Sequence, residues 1–333
     1  MHSFIVTYSS GVQDAITHGG PIVVLESTAI AQGLPWPDNL ETAQGMEEAI
    51  RARGAIAATI AIFEGVARIG LSAAELEQLA WSAAPASADD LADESTLRKS
   101  SPHRRFDKAN RRDLGAAIAQ RRFASTTVSA TLWLARRFGF KPCIMATGGL
   151  GGVHRDAAQS FDVSTDVDEL ARADGSMLVC SGFKSILDLA ATLEALETRG
   201  VAIAGYRTTE LPAFLSVASD LPLEHRVETP AEAADLLRAH RLLELPGALV
   251  LANPVPEPDA LSRESLDSAL ETAFLEARRR KVTGKGITPF LLDSIRQQTE
   301  GRSLRANKSL LVANAGLAAQ VAVELASRPQ AGE

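Results

Sequence analysis

Apolar positions along the chain fall into two kinds of segment. Short, nearly continuous apolar runs occur at PIVVLEST (21–28), AIAATIAIF (55–63), KPCIMAT (141–147), SMLVCSG (176–182), VAIAGY (201–206) and ALVLANPV (248–255). Runs of this length, bounded by turn residues, predict buried strands. Other segments carry apolar residues at helical spacing. Leu40, Ala43, Met46, Ala49 and Ile50 predict a helix over 39–53 that stops at Gly54. Ile186, Leu187, Leu189, Leu193 and Leu196 predict another over 185–199 that stops at Gly200. Ser72-Ala-Ala-Glu75 is a capping box, and further helices open at Ser125–Val128 and at Thr229-Pro-Ala-Glu232. After residue 257 the pattern turns helical, over 258–280, 288–299 and 303–327. Strand and helix therefore alternate, which predicts a layered α/β fold.

One stretch breaks the alternation. Residues 82–107 are rich in Ala, Ser, Asp and Arg and lack periodicity. Because the α/β pattern resumes afterwards, they are expected to be a loop insertion and not a domain boundary. The expectation is a single catalytic domain over 1–333, with a flexible tail at 328–333.

Composition narrows the function classes. The 333 residues are 46% hydrophobic, enough for a substantial core, though length alone leaves one large unit or two domains open. A formal charge of −7, with no basic stripe, argues against a nucleic-acid partner. Cys143 and Cys180 both sit in apolar runs, which fits buried thiols in a reducing, cytoplasmic setting. The N-terminus has no basic start followed by an apolar core, and no run approaches the ~20 apolar residues that span a bilayer, so no membrane association is expected. The six histidines show no HxxxH or HxH spacing, which disfavours a histidine-rich zinc site.

Candidate chemistry gathers in FDVSTDVDELARADGSMLVCSGFKSILD (161–188). Asp162 and Asp166 lie on a polar turn, and Lys184 falls between an apolar run and a predicted helix. Burial and a helix N-terminus both disfavour an ammonium, which suits an amine that attacks carbonyls. By spacing alone, an ordinary surface lysine in a loop is the commoner occupant of such a place. Lys108–Asp113 reads as a solvated helix start or an anion-binding rim. The hydroxyls at 125–127 suit a phosphate or simple capping. The glycines after Thr147 are neither a P-loop nor a dinucleotide fingerprint, which argues against a generic nucleotide-binding protein.

Several motifs in order carry a resemblance. They are LEST (25–28) with GLPWPDN (33–39), ATIAIFEG (58–65), KANRRDL (108–114) with TTVSAT (126–131), ATGGLGGVHR (146–155) and FDVSTD (161–166). CSGFKSILD (180–188), ANPVP (252–256), GKGITPFLL (284–292) and SLRANKSLLVANA (303–315) continue it. The chain resembles the pseudouridine-5′-phosphate glycosidases, also called indigoidine-synthase-A-like proteins, from about residue 10 to 327. Pattern and resemblance together give an expected three-layer α/β/α fold with a central mixed, mostly parallel sheet and a helical C-terminal third.

The resemblance implies reversible cleavage of the carbon–carbon glycosidic bond of pseudouridine 5′-phosphate to uracil and ribose 5-phosphate, in a homotrimer with Mn2+. It implies Lys184 as the nucleophile forming an imine on ring-opened ribose and Glu26 as the proton donor. It makes Asp162 the metal ligand and Lys108, Val128, Ser164, Thr165, Asp166 and Asn307 substrate-binding residues. A C–C glycoside offers no leaving oxygen or nitrogen to protonate, so an imine route is chemically sensible. The chain departs from the family's pattern at Gln32, where histidine is usual, at Ala124-Ser125, where glycines are usual, and in a longer segment before Lys108. These departures keep two alternatives in view: the same imine chemistry on another C-ribosyl phosphate, and a non-catalytic phosphosugar-binding paralogue.

Overall fold

The computed structural model describes residues 5–84, 104–282 and 284–327. Residues 85–103 of the expected insertion and the expected tail at 328–333 lie outside the described residues. Eleven strands among those described form one sheet: β1 Val6–Tyr8, β2 Ile22–Leu25, β3 Ile56–Phe63, β4 Val66–Ile69, β5 Asp107–Ala109, β6 Ala124–Thr126, β7 Cys143–Ala146, β8 Ser176–Cys180, β9 Ile203–Tyr206, β10 His225–Val227 and β11 Leu249–Ala252. The main order is β1-β4-β3-β2-β7-β8-β11-β9-β10, and β5 and β6 branch off β3. Only the pairings of β3 with β4 and with β6 are antiparallel. The sheet is thus mixed and mostly parallel, as the alternating pattern predicts.

Helices flank it: α1 Ser10–His18, α2 Asp38–Arg51, α3 Ala73–Trp81, α4 Leu114–Ala119, α5 Val128–Arg137, α6 Ala157–Ser160, α7 Thr165–Leu170, α8 Leu189–Glu197, α9 Pro230–Leu242, α10 Arg263–Arg279, α11 Ile287–Gln298 and α12 Arg302–Ser327. The central strands β7 and β8 are buried throughout, which is why they read as unbroken apolar runs and not as alternating ones. Burial pushes the Cys143 and Cys180 thiols up to about 12, so both are inert packing groups. The helix α12 is long and apolar enough by composition to cross a membrane. Here it packs against α2, α9, β7 and β8, and that burial accounts for its apolarity.

Two expectations need correction. The helix expected from Ser185 begins at Leu189, capped by Asp188, whose side chain accepts from the Ala191 N–H. Before it, Ser185 and Ile186 form a turn closed by the Leu187 N–H on the Lys184 carbonyl at 3.0 Å, and Leu187 bridges to His154. Lys184 is therefore in the loop before that helix and not at its first turn. Likewise Ser125 and Thr126 belong to β6, and α5 opens only after Thr127. The segment before Lys108 is anchored at both ends, since the Phe106 N–H donates to Ser82 Oγ at 3.0 Å. Phe106 packs edge-on against Phe63 and Phe123 in a second, smaller apolar cluster.

Candidate active site

In an open parallel sheet, side chains just beyond the carboxyl ends of adjacent strands share one crevice. Glu26 follows β2, Thr147 follows β7, Ser181 to Lys184 follow β8 and Asn253 follows β11, and these four strands are neighbours in that order. A cavity of about 350 Å³ opens over this edge. It is lined by every residue that the sequence singled out: Glu26, Lys108, Val128, Asp162, Ser164, Thr165, Asp166, Lys184 and Asn307. Their contributions come from β2, β5, α5, α7, the loop after β8 and α12.

Glu26 faces the cavity and is otherwise enclosed. Burial raises its carboxyl above the ordinary range, opposed by the Lys184 charge, by a hydrogen bond from Thr147 and by Lys108, while Asp166 pushes it further up. Thr147 Oγ1 donates to Glu26 Oε1 at 2.5 Å. Lys184 is half-buried, and its Nζ donates to the Gly149 carbonyl at 2.7 Å. Its backbone N–H reaches the Leu150 carbonyl at 3.0 Å, which clamps the Lys184 loop to the glycine-rich loop.

The glycines have steric reasons. A Cβ on Gly151 would lie 2.3 Å from Ser164 Oγ and 2.8 Å from Asp166 Oδ2, and one on Gly149 would meet the Phe214 ring at 2.6 Å. Freed of a side chain, the Gly151 N–H donates to Asp166 Oδ2 at 3.1 Å, while the Ser129 N–H donates to Asp166 Oδ1 at 3.0 Å. Asp166 thus satisfies the start of α5 itself, which claims the Ser129 N–H that the sequence left open to a phosphate. Lys108, Asn110 and Arg112 add a cationic and polar rim to the same lining.

Sequence reasoning missed His154, although it stands inside a quoted motif. Its Nε2 lies 3.9 Å from Asp162 Oδ2, too far for a close ion pair. Burial lowers its pKa, Asp162 opposes, and Lys184 and Lys108 lower it further, which favours the neutral ring. The search for histidine spacing overlooked it because its partner carboxylate comes from another loop. Gln32, one of the departures from the family pattern, lines the same cavity and donates from Nε2 to the Phe106 carbonyl at 3.0 Å.

Asp162 is exposed at the cavity, and among the described residues no three His, Cys, Asp or Glu groups form a metal cluster. One exposed carboxylate suits a hard divalent ion that keeps most of its waters, and does not suit a caged zinc.

Comparison with known proteins identifies the family. The family model described as indigoidine synthase A like protein matches residues 11–324. A relative from Caldanaerobacter subterraneus, named pseudouridine-5′-phosphate glycosidase, is 43% identical over 325 residues, covering 98% of each chain. One of the same name from Geobacillus kaustophilus is 43% identical over 98% of this chain and 100% of its own. Among solved structures, a prealnumycin C-glycosynthase in complex with ribulose 5-phosphate superposes with a TM-score of 0.82 at 30% identity, covering 97% of both chains. An indigoidine synthase A-like protein from Thermotoga maritima gives 0.81 at 34% identity, again over 97% of both. Matched over nearly its whole length in sequence and in fold, the chain belongs to the indigoidine synthase A-like family.

Proposed function

We propose that the protein is a pseudouridine-5′-phosphate glycosidase, reversibly cleaving the C–C glycosidic bond to give uracil and ribose 5-phosphate. The observation that carries this reading is the convergence of one amine, Lys184, and one raised carboxyl, Glu26, on a single cavity with a cationic rim. The names of full-length relatives and the ribulose 5-phosphate of the C-glycosynthase neighbour support the substrate class.

In this reading Lys108, Asn110 and Arg112 hold the phosphate, and Ser164, Thr165 and Asn307 orient the ribose and base. Lys184 Nζ bonds the anomeric carbon as the bond from that carbon to the ring oxygen breaks, and the proton the amine gives up passes to the ring oxygen, which becomes a hydroxyl. Glu26 then delivers a proton to the uracil ring carbon. The C–C bond breaks with its electron pair on that carbon, while the nitrogen lone pair forms the imine. Water hydrolyses the imine, releasing ribose 5-phosphate and the free amine. A raised carboxyl pKa keeps the acid protonated closer to neutral pH, which its role needs. Asp162 would hold a hydrated Mn2+, which would supply positive charge beside the sugar phosphate. A homotrimer in the cytoplasm is part of the same proposal and rests on the family resemblance.

The test is direct: mix the protein with pseudouridine 5′-phosphate and Mn2+ and follow uracil release. Turnover is expected. Inertness towards this substrate combined with turnover of another C-ribosyl phosphate would transfer the chemistry to that substrate. The retained acid and amine in one cavity argue against the non-catalytic reading.

A further inference from the structure

Asn314 lies on α12 and is a fully buried polar side chain. Its amide is used at three points. Nδ2 donates to the Thr147 carbonyl at 2.8 Å and to Ser181 Oγ at 3.1 Å, and Oδ1 accepts from Asn253 Nδ2 at 2.9 Å. Those partners stand immediately after β7, β8 and β11. One side chain therefore ties the ends of three neighbouring strands to the long C-terminal helix. Two of the tied residues lead straight into the site. Thr147 Oγ1 donates to Glu26, and the Ser181 N–H donates to the Gly148 carbonyl at 2.7 Å, next to the Gly149 carbonyl that receives Lys184 Nζ.

From this juxtaposition we propose that Asn314 is a positioning residue that sets the acid and the nucleophile against each other, acting through Thr147 on Glu26 and through Ser181 on the loop of Lys184. The proposal rests on the glycosidase reading for its catalytic consequence, but not for its structural one. A buried asparagine with both donors and its acceptor engaged fixes one arrangement, because each partner would lose a bond in any other. Truncation frees the Thr147 carbonyl and lets the threonine turn its hydroxyl away from Glu26. That hydroxyl stabilises the ionised carboxylate, so its loss moves the Glu26 titration to higher pH. The other charges that act on Glu26 are Lys184, Asp166 and Lys108, and none is altered by the substitution.

The test reads the titration without any substrate. Label the glutamate carboxyls with 13C, identify Glu26 as the resonance missing in Glu26→Gln, and titrate wild type, Asn314→Ala, Thr147→Val and Thr147→Ser. The expected result is a midpoint displaced to higher pH in Asn314→Ala and in Thr147→Val, and restored in Thr147→Ser. With pseudouridine 5′-phosphate, kcat is expected to fall roughly 10- to 100-fold in the first two variants with KM within about twofold, as for loss of a hydrogen bond to a charged group. Should Asn314→Ala not fold, Asn253→Ala removes the bond that orients the amide and is expected to move the midpoint the same way. An unchanged midpoint in the folded Asn314 or Asn253 variant overturns the proposal. Wild-type inertness towards the substrate removes the glycosidase reading alone, since the titration still decides this one.

Discussion

In the proposed reaction Lys184 and Glu26 do opposite jobs, and their surroundings differ accordingly. Lys184 sits at the cavity wall with a carbonyl for its amine, while Glu26 is enclosed and held towards its protonated form. Replacing Glu26 by Gln is expected to lower kcat about 10²–10⁴-fold with little change in KM, measured by uracil release. The pH dependence has a definite sign. A positive charge at Lys108 holds the Glu26 pKa down, so Lys108→Met moves the limb of the kcat–pH profile that belongs to Glu26 upward and also weakens phosphate binding. A limb displaced to lower pH would contradict the assigned geometry. Residues of the site were legible in the sequence where they stood inside motifs matching a family. Thr147 as the partner of Glu26, and Asn314 as the partner of Thr147, were not. The pairs are 121 and 167 residues apart, and no local pattern records a contact of that separation.

At the scale of elements, the loop over 148–152 and α7 form one unit, because Gly151 leaves room for both Ser164 and Asp166. Gly151→Ala is expected to cost about 1–3 kcal/mol of stability and to raise KM for the phosphosugar, since Asp166 must move off the Gly151 N–H. Thermal unfolding and a kinetic titration together check both halves. A second link joins α7 to the cationic rim: Arg111 Nη1 lies 3.1 Å from Glu169 Oε2, although neither oxygen of that buried carboxylate meets a donor in hydrogen-bonding geometry. Burial raises Glu169 from 4.5 to about 7, against the opposing charges of Arg111, Arg136 and Arg172. The folded state therefore keeps a proton that the unfolded chain has lost, and stability from this group is full below pH 4.5 and lost as pH rises through about 7. Glu169→Gln removes that dependence, so the melting temperature of wild type relative to the variant is expected to fall between pH 5 and 8. The span corresponds to about 1–3 kcal/mol after discounting for solvent around half-exposed Arg111. The long helices were readable because each spans enough residues to show a period, and the central strands because burial on both faces makes them unbroken apolar runs. The strands β1, β5, β6 and β10 have three residues each and carry too little pattern to be seen. The start of α8 was misplaced for a related reason: Ile186 and Leu187 are apolar because they are buried from the turn and bridge that precede the helix.

Over the whole molecule, the sheet order brings β2, β7, β8 and β11 side by side, so that residues scattered from 26 to 314 meet at one edge. The α/β alternation made the fold class legible, but strand order is a long-range property that alternation leaves open. A hydrated metal at one exposed carboxylate couples weakly to folding. Chelation is therefore expected to slow turnover and leave the melting temperature within a degree or two, by the weak-linkage argument. A large drop on chelation would point to a caged structural ion. The central claim is that Lys184 bonds the sugar carbon. Incubate the protein with ribose 5-phosphate and uracil in the presence of Mn2+, reduce with borohydride, digest, and locate the added mass by tandem mass spectrometry. A reduced pentose-phosphate adduct is expected on Lys184, absent in Lys184→Ala, which also loses turnover. An adduct on another residue, or a Lys184→Ala enzyme as active as wild type, would contradict it.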